Sequence, residues 1–444
     1  MAVHMKEYSF PQGGISLEDD TAPKGDSFSL AFLPALSLIP LGRHPDGMSG
    51  ALVSEGDSVR EGMLVGGGKA GGAANVHASV PGTVVRRAAW EDGEGRSCEG
   101  LVVRMEGSFD RLGSGGGDGS GGVQTELVGY GELVRILDEC GIVEMEGSGL
   151  PVTGMLRRFR NSGGGTVVAR CVFDDPWLAA DRVLCSARMD AVVEGAFTLA
   201  CACGEANDVV FAVSRREKKL GEAMLAEFGE RGIAASLVLT GDRYPQRNRR
   251  EMELVLREYG ERERRSLGSL LMLGPATLVA VYDAVMRRSP ILERYVAVGG
   301  SAVRNPGVLK ARIGKRIGDL FEECGGFVAP PFRVVSGSPF FGETVRYLDE
   351  PVGRTSYALV AMLAPQAGMR REKDCVSCGE CRTVCPVGLD PEELYKTAVS
   401  AGLGGKAVAG PSGCHGCGCC EVVCPSGIGL ASVITGGAGE EPDA

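Results

Sequence analysis

Apolar residues come in short β-like pieces over the first quarter of the chain and in longer alternating blocks through its middle. In residues 1–110 the pieces are Leu36-Ser-Leu-Ile-Pro40, Ala51-Leu-Val53 and Gly82-Thr-Val-Val85, each punctuated by Gly or Pro. That pattern predicts strands joined by turns. Residues 111–125 are dominated by Gly and Ser, the composition of a linker. From 126 to 290 a helical pattern (Leu127, Leu133, Ile136, Leu137) gives way to strand-like and helical stretches in turn. They are Thr166–Val172, Ala179–Cys203, Asp208–Val213, Arg216–Arg231 and Ala234–Leu239, then helical runs from Met252 to Met286. Such alternation predicts an α/β sheet. Residues 291–348 read as strand, turn, strand and a short helix ending at glycine, which suits a small β-grasp module. Residues 349–434 carry most of the cysteines, and 435–444 form an acidic, Gly-rich tail expected to be disordered.

Nine of the sixteen cysteines fall between Cys375 and Cys424. One run is Cys375-Val-Ser-Cys378-Gly-Glu-Cys381-Arg-Thr-Val-Cys385-Pro386, the other Cys414-His-Gly-Cys417-Gly-Cys-Cys420-Glu-Val-Val-Cys424-Pro425. Both fit C-x2-C-x2-C-x3-C-P, the ferredoxin spacing for [4Fe–4S] clusters. Three thiolates on one tight loop reach three irons of a cubane, and the cysteine before the proline reaches across to the partner cluster. The expected ligands are Cys375, Cys378, Cys381 and Cys424 for one cluster, and Cys414, Cys417, Cys420 and Cys385 for the other. Cys419 is surplus. Structural zinc would call for neither the third cysteine nor the prolines, and disulfides need an oxidising compartment. The remaining cysteines (98, 140, 171, 185, 201, 203 and 324) read as small buried hydrophobes. Four scattered histidines suggest no acid–base catalysis, and His415 reads as an exposed loop residue.

Composition narrows the class further. A length of 444 residues suggests about three domains. The net charge of −10 argues against a nucleic-acid partner. Mean hydropathy is +0.03, and no apolar stretch reaches the ~18 residues of a membrane span. Met1-Ala-Val-His-Met-Lys-Glu7 lacks the apolar core of a signal peptide. The expectation is a protein on the cytoplasmic face of the cell membrane, attached only through partners.

Residues 53–84, from Val53-Ser-Glu-Gly-Asp57 to Pro81-Gly82-Thr-Val84, resemble the barrel-sandwich fold of biotinyl and lipoyl domains. Lys69, where such carriers place their lysine, sits among glycines and reads as a solvated loop. Further along come Val303-Arg-Asn-Pro306-Gly307 and the two cysteine runs. In that order the modules make the chain similar to the RnfC component of the Rnf-type ion-translocating electron transport complex. Gly13-Gly-Ile15, Ile39-Pro-Leu-Gly-Arg-His44, Asp57-Ser-Val-Arg-Glu-Gly62, Tyr244-Pro-Gln246 and Pro290-Ile-Leu-Glu-Arg294 extend the match. The α/β and β-grasp (SLBB) parts also resemble the NADH-binding flavoprotein of respiratory complex I. The resemblance implies a barrel-sandwich hybrid, a Rossmann-like α/β domain, a β-grasp domain and a helical two-cluster ferredoxin domain. It further implies electron transfer between NADH and ferredoxin, with membrane subunits coupling it to ion movement. Ferredoxin or another redox protein is the implied partner.

The nucleotide side departs from the family in four places. Its loop GIVGxGGAGFPTxxK is here Gly141-Ile-Val-Glu144-Met-Glu146-Gly147-Ser-Gly149-Leu-Pro151-Val-Thr-Gly-Met155. Two glycines have become Glu144 and Glu146, and the lysine has become Met155. The acidic turn NGAECEP is replaced by Arg170-Cys-Val-Phe173-Asp174-Asp175-Pro176. Gly-Gly-Glu after Tyr-Pro-Gln is replaced by Arg247-Asn248-Arg249, and Asn-Val-Gly-Thr by Gly274-Pro-Ala-Thr277. Glycines let backbone N–H groups approach phosphate while a lysine neutralises it. Carboxylates do the opposite. The expectation is that FMN and NADH no longer bind tightly, that no residue here is catalytic, and that the clusters carry the function. An alternative is a similar carrier serving a soluble reductase of the proline or cobalamin type.

Overall fold

In the computed structural model, residues 6–43, 47–68, 73–93, 95–109, 128–204, 208–229, 231–340, 342–364, 372–400 and 413–435 are described. Lys69, the whole linker at 111–125 and the tail beyond Thr435 lie outside them. Four sheets organise the described residues. A five-stranded sheet carries strands Glu7–Tyr8, Ala235–Thr240, Asp208–Ser214, Gly165–Cys171 and Ser269–Leu273, in that spatial order. Every pairing in it is parallel. Parallel strands are covered on both faces, and Gly165–Cys171 shows it. Val167, Ala169 and Cys171 pack into a core shared with helix Met189–Cys203, while Val168 faces Met252, Val255 and Leu256 of helix Arg249–Glu263. Alternate residues of a strand point to opposite faces, so one run serves two cores.

The segment at 252–286 differs from its expectation. It is not helical throughout: Arg249–Glu263 and Pro275–Arg287 are helices, but Ser269–Leu273 is the edge strand between them. Its residues, Ser-Leu-Leu-Met-Leu, are unbranched at Cβ and carry no strand signature. Pairing with Gly165–Cys171 decides the matter. The stretch Ala179–Cys203 likewise breaks into helices Ala179–Ala187 and Met189–Cys203.

The barrel sandwich pairs Leu36–Arg43, Ser97–Met105 and Gly82–Glu91 antiparallel, and closes over Ile39, Val65, Val76, Leu101 and Val103. Not all of residues 1–110 pair within it. Glu7–Tyr8 extends the parallel sheet, and Ser29–Leu30 lies at the edge of the β-grasp sheet. The β-grasp sheet also runs past residue 348, since Ala358–Met362 pairs with both Glu293–Gly299 and Arg333–Ser336. Helix Ile317–Glu323 supplies Ile317, Leu320 and Phe321 to its core. Arg354 ties three modules together: its buried Nη1 donates to the carbonyls of Asn75 and Gly141, each at 3.1 Å. Among the described residues no helix is long and apolar enough to cross a membrane.

Candidate metal centre and the neighbouring crevice

The two cysteine runs fold as repeats of one another. In each, a left-handed residue precedes the second cysteine (Ser377 at φ 54°, Gly416 at φ 68°). A left-handed glycine, Gly379 or Gly418, then starts a one-turn helix, Glu380–Thr383 or Cys419–Val422. Such turns curl the loop so that its cysteines face inward. Cys381 and Cys424 are buried together with Ile428, Leu430 and Ile434, and Cys375 packs against them. Cys378 is exposed. One cavity is lined by Cys414, Cys417 and Cys420 together with Cys385 of the first run, and Cys414 and Cys420 also pack against the first group. Cys385 thus lies with three cysteines of the second run, and Cys424 lies with Cys381 of the first.

The donors suit an iron–sulfur cluster. Burial, followed by the neighbouring charges of Cys417, Glu421, Cys414 and Cys385, pushes the Cys420 thiol well above its ordinary range. Four thiols share one low-dielectric space, where a cationic cluster core would draw off their protons. Leu389 donates its backbone N–H to Cys385 Sγ at 3.2 Å, the kind of bond that tunes cluster thiolates. The described side chains do not converge on a point: no three His, Cys, Asp or Glu could share a single ion. A cubane asks for less, because each thiolate ligates its own corner.

The N-terminal segment holds this region in place. Gly14 donates its N–H to the carbonyl of Val384 at 2.9 Å. Gly13, at φ +70°, lies so close that a Cβ would stand 2.6 Å from the backbone of Cys385. Only glycine fits there. From the α/β domain, the Tyr244 hydroxyl donates to the carbonyl of Cys417 at 2.9 Å, and its ring packs on Phe340 at 5.3 Å. Cys419 is fully buried, with Sγ 3.9 Å from the Tyr244 carbonyl. His415 is not the exposed residue expected from the sequence. Its side chain is 15% exposed, and Nε2 stands 3.1 Å from Oε1 of the fully buried Glu251. Glu251 lies on helix Arg249–Glu263, and burial pushes its carboxyl up to about 7. Sequence reasoning missed this contact because nothing local links positions 251 and 415.

The parallel sheet has its topological switch point at Gly165–Cys171, whose neighbours run on to either side. Ligands of open α/β sheets bind beyond the carboxyl ends of such strands. Here those ends lead to Asp174 and Asp175, and to Gly274 with helix Pro275–Arg287. The crevice is full of this chain's own polar side chains. Glu146 accepts from Thr277 N at 2.9 Å and from its Oγ1 at 2.5 Å. Glu144 folds back on its own loop, accepting from Ser148 N at 2.7 Å and from Glu146 N at 3.1 Å. Asp181 receives Arg247 at 3.1 Å and Arg294 at 3.2 Å. Asp174 accepts from Arg247 N at 2.9 Å, and Asp175 from Ser338 Oγ at 2.5 Å. Burial raises Glu146 above the usual carboxylate range, with Glu144's charge adding to it, and pushes Asp174 up to about 7. At the head of helix Pro275–Arg287 the position beside Gly274 is taken by the Glu146 carboxyl.

Comparison with known families gives four matches in chain order. Residues 9–108 match the RnfC barrel sandwich hybrid domain, and 137–269 the Nuo51 FMN-binding domain. Residues 295–345 match the SLBB domain, and 371–428 the 4Fe-4S dicluster domain. Among curated relatives, the C component of the proton-translocating ferredoxin:NAD(+) oxidoreductase complex of Clostridium ljungdahlii is 26% identical over 86% of this chain and 83% of that protein. The C component of the ion-translocating oxidoreductase complex of Serratia proteamaculans is 27% identical over 88% of this chain, which spans 54% of that longer protein. The Na(+)-translocating counterpart of Acetobacterium woodii is 24% identical over 81% and 80% respectively. A chain of an NAD+-reducing [NiFe]-hydrogenase aligns at TM-score 0.47 and 15% identity, over 69% of this chain and 59% of that one. With its modules in this order and the similarity running across them, the chain is similar over most of its length to the C components of these ion-translocating complexes.

Proposed function

We propose that the chain is an electron-transfer subunit holding two [4Fe–4S] clusters, and that it works as a peripheral, cytoplasmic part of an Rnf-type membrane complex. The observation that carries the reading is the cavity where Cys385 of one run meets Cys414, Cys417 and Cys420 of the other. In this reading the second cluster is held there, and the first by Cys375, Cys378, Cys381 and Cys424. When bound, such clusters pass single electrons. The chain's own residues do the positioning. Gly13 and Gly14 seat the Cys385 turn, Tyr244 anchors the Cys417 loop to the α/β domain, and the buried apolar residues Ile428, Leu430 and Ile434 keep water from the thiolates. No acid–base group is needed.

In the same reading the flavin and NADH site of the α/β domain is degenerate. The curated relatives' names support a partnership with ion-translocating membrane subunits and with ferredoxin or a similar redox protein. Protein prepared without oxygen is expected to hold about eight irons and eight sulfides, four of each per cluster. Two zincs and no labile sulfide would end the proposal. Sedimentation with membranes is expected only when the membrane subunits are co-expressed, with release at high salt. Membrane recovery of the chain expressed alone would contradict the peripheral role.

A further inference from the structure

The start of helix Pro275–Arg287 is an anion site by construction. Thirteen residues of aligned peptide dipoles begin at Gly274, and the first N–H groups have no partner within the helix. It stands beside the switch point of the sheet, where a ligand of this fold would lie. Its contents come from the chain itself. Both the N–H and the hydroxyl of Thr277 bond the Glu146 carboxylate, and the Thr277 hydroxyl also receives the N–H of Met145 at 2.9 Å. Glu146 lies directly on Gly274, where a Cβ would meet its carboxyl group at 2.5 Å.

A second observation marks the place as a ligand pocket. Arg294 is 1% exposed, and its Nη2 donates to the carbonyl of Met145 at 3.2 Å. Its Nε and Nη1 have no partner, and neither has Nε of the buried Arg170, whose field includes Glu144 and Glu146. Buried guanidinium N–H groups without acceptors are rare and costly. Around the loop they leave more donors than the protein fills.

We propose that Glu146 is a built-in ligand: its carboxylate occupies the anion position at the head of helix Pro275–Arg287, and a mononucleotide phosphate would take that position if Glu146 left it. This rests on the reading that the flavin site is degenerate, and it names the cause as occupancy by one side chain. Glu144 is turned back on Ser148 and does not bond Thr277. With Glu146 gone, the helix terminus would lose its anion, while Arg294, still paired with Asp181, and Arg170 would keep N–H groups without acceptors for a phosphate to take.

The experiment uses the full chain with its clusters and FMN as probe, read by flavin fluorescence and by retention through gel filtration. The unmodified protein is expected to elute without FMN. Glu146→Gly is expected to bind it at least about tenfold more tightly, since hydrogen bonds to a charged group are worth that much. Gly274→Ala added to Glu146→Gly sets a Cβ 2.5 Å from the place the carboxyl held, too near for a phosphate there as well; backbone angles (φ −86°, ψ 173°) suit alanine, so this double variant folds and is expected to stay empty. Glu146→Gln fills the same space without charge and is expected to stay empty. If Gln opens the site as well as Gly does, repulsion and not occupancy was the cause, and the proposal falls. It also falls if Glu146→Gly, with full iron content, remains empty, or if adding Gly274→Ala to it leaves FMN binding unchanged; the degenerate-site reading then survives. Stoichiometric FMN on the unmodified protein overturns both.

Discussion

The cysteine domain and the α/β crevice are neighbours, joined where Tyr244 reaches from one to the carbonyl of Cys417 in the other. Their construction differs. In the proposed assignment the cysteine domain draws each set of ligands from one short run plus a single crossing cysteine, and its interior mixes cysteines with apolar side chains. The crevice collects Glu146, Asp174, Asp181, Arg247, Thr277 and Arg294 from six separate stretches of chain. A site made of one run persists or vanishes with that run. A site assembled from six stretches can be altered one residue at a time, each change absorbed by another: a carboxylate where a glycine was meets a helix terminus, and an arginine meets an aspartate. An α/β fold can therefore persist with its ligand position filled from within.

The contrast is tested most severely in the cysteine domain. Cys385→Ser is expected to remove the cluster held by Cys414, Cys417 and Cys420, halving iron and sulfide from about eight of each to about four. Electron paramagnetic resonance of the reduced protein should then show one cluster signal. If the signal that disappears belongs instead to the Cys375–Cys381 loop, the crossed assignment is wrong. In the crevice the corresponding blow is Asp181→Ala. It strips the carboxylate from two buried arginines, Arg247 and Arg294, and breaking a buried pair from one side costs ~3–5 kcal/mol. Denaturant unfolding followed through the α/β domain's circular dichroism measures it. A loss below about 1 kcal/mol would mean that the network is not holding the domain together.

A gentler test is pH. Burial raises Asp174 from 3.8 to about 7, with the charge of Asp175 adding to the shift. The folded state therefore holds this proton longer than the unfolded chain does. Its stabilising contribution is complete below the unfolded value of 3.8 and is lost as pH rises through about 7. Asp174→Asn should flatten that decline, so the melting temperatures of the two proteins should diverge between pH 4 and pH 7. Parallel curves would remove Asp174 from the account. The smallest effect belongs to Cys419→Ser. The side chain is buried against the Tyr244 carbonyl, and serine keeps a donor there, so iron and sulfide should not change. Loss of a cluster would make Cys419 a ligand.

The cluster chemistry was legible in the residues alone, because C-x2-C-x2-C-x3-C-P is a local constraint: the spacing, the left-handed turn positions and the one-turn helices lie within eleven residues of one another. So were the alternation that makes the α/β sheet and the short strands of the sandwich. Long-range packing settled the rest. Ser269–Leu273 became a strand only because Gly165–Cys171 offered it a ladder, and Glu7–Tyr8 joined a sheet whose other strands lie more than 150 residues away. His415 found Glu251, and Glu146 found Thr277, across more than 130 positions. In the sequence Glu146 is legible as a charge out of place, expected to repel a phosphate. That it stands in for one depends on a helix terminus 131 residues further on, and burial, not proximity in sequence, determines whether a carboxylate repels a ligand or takes its place.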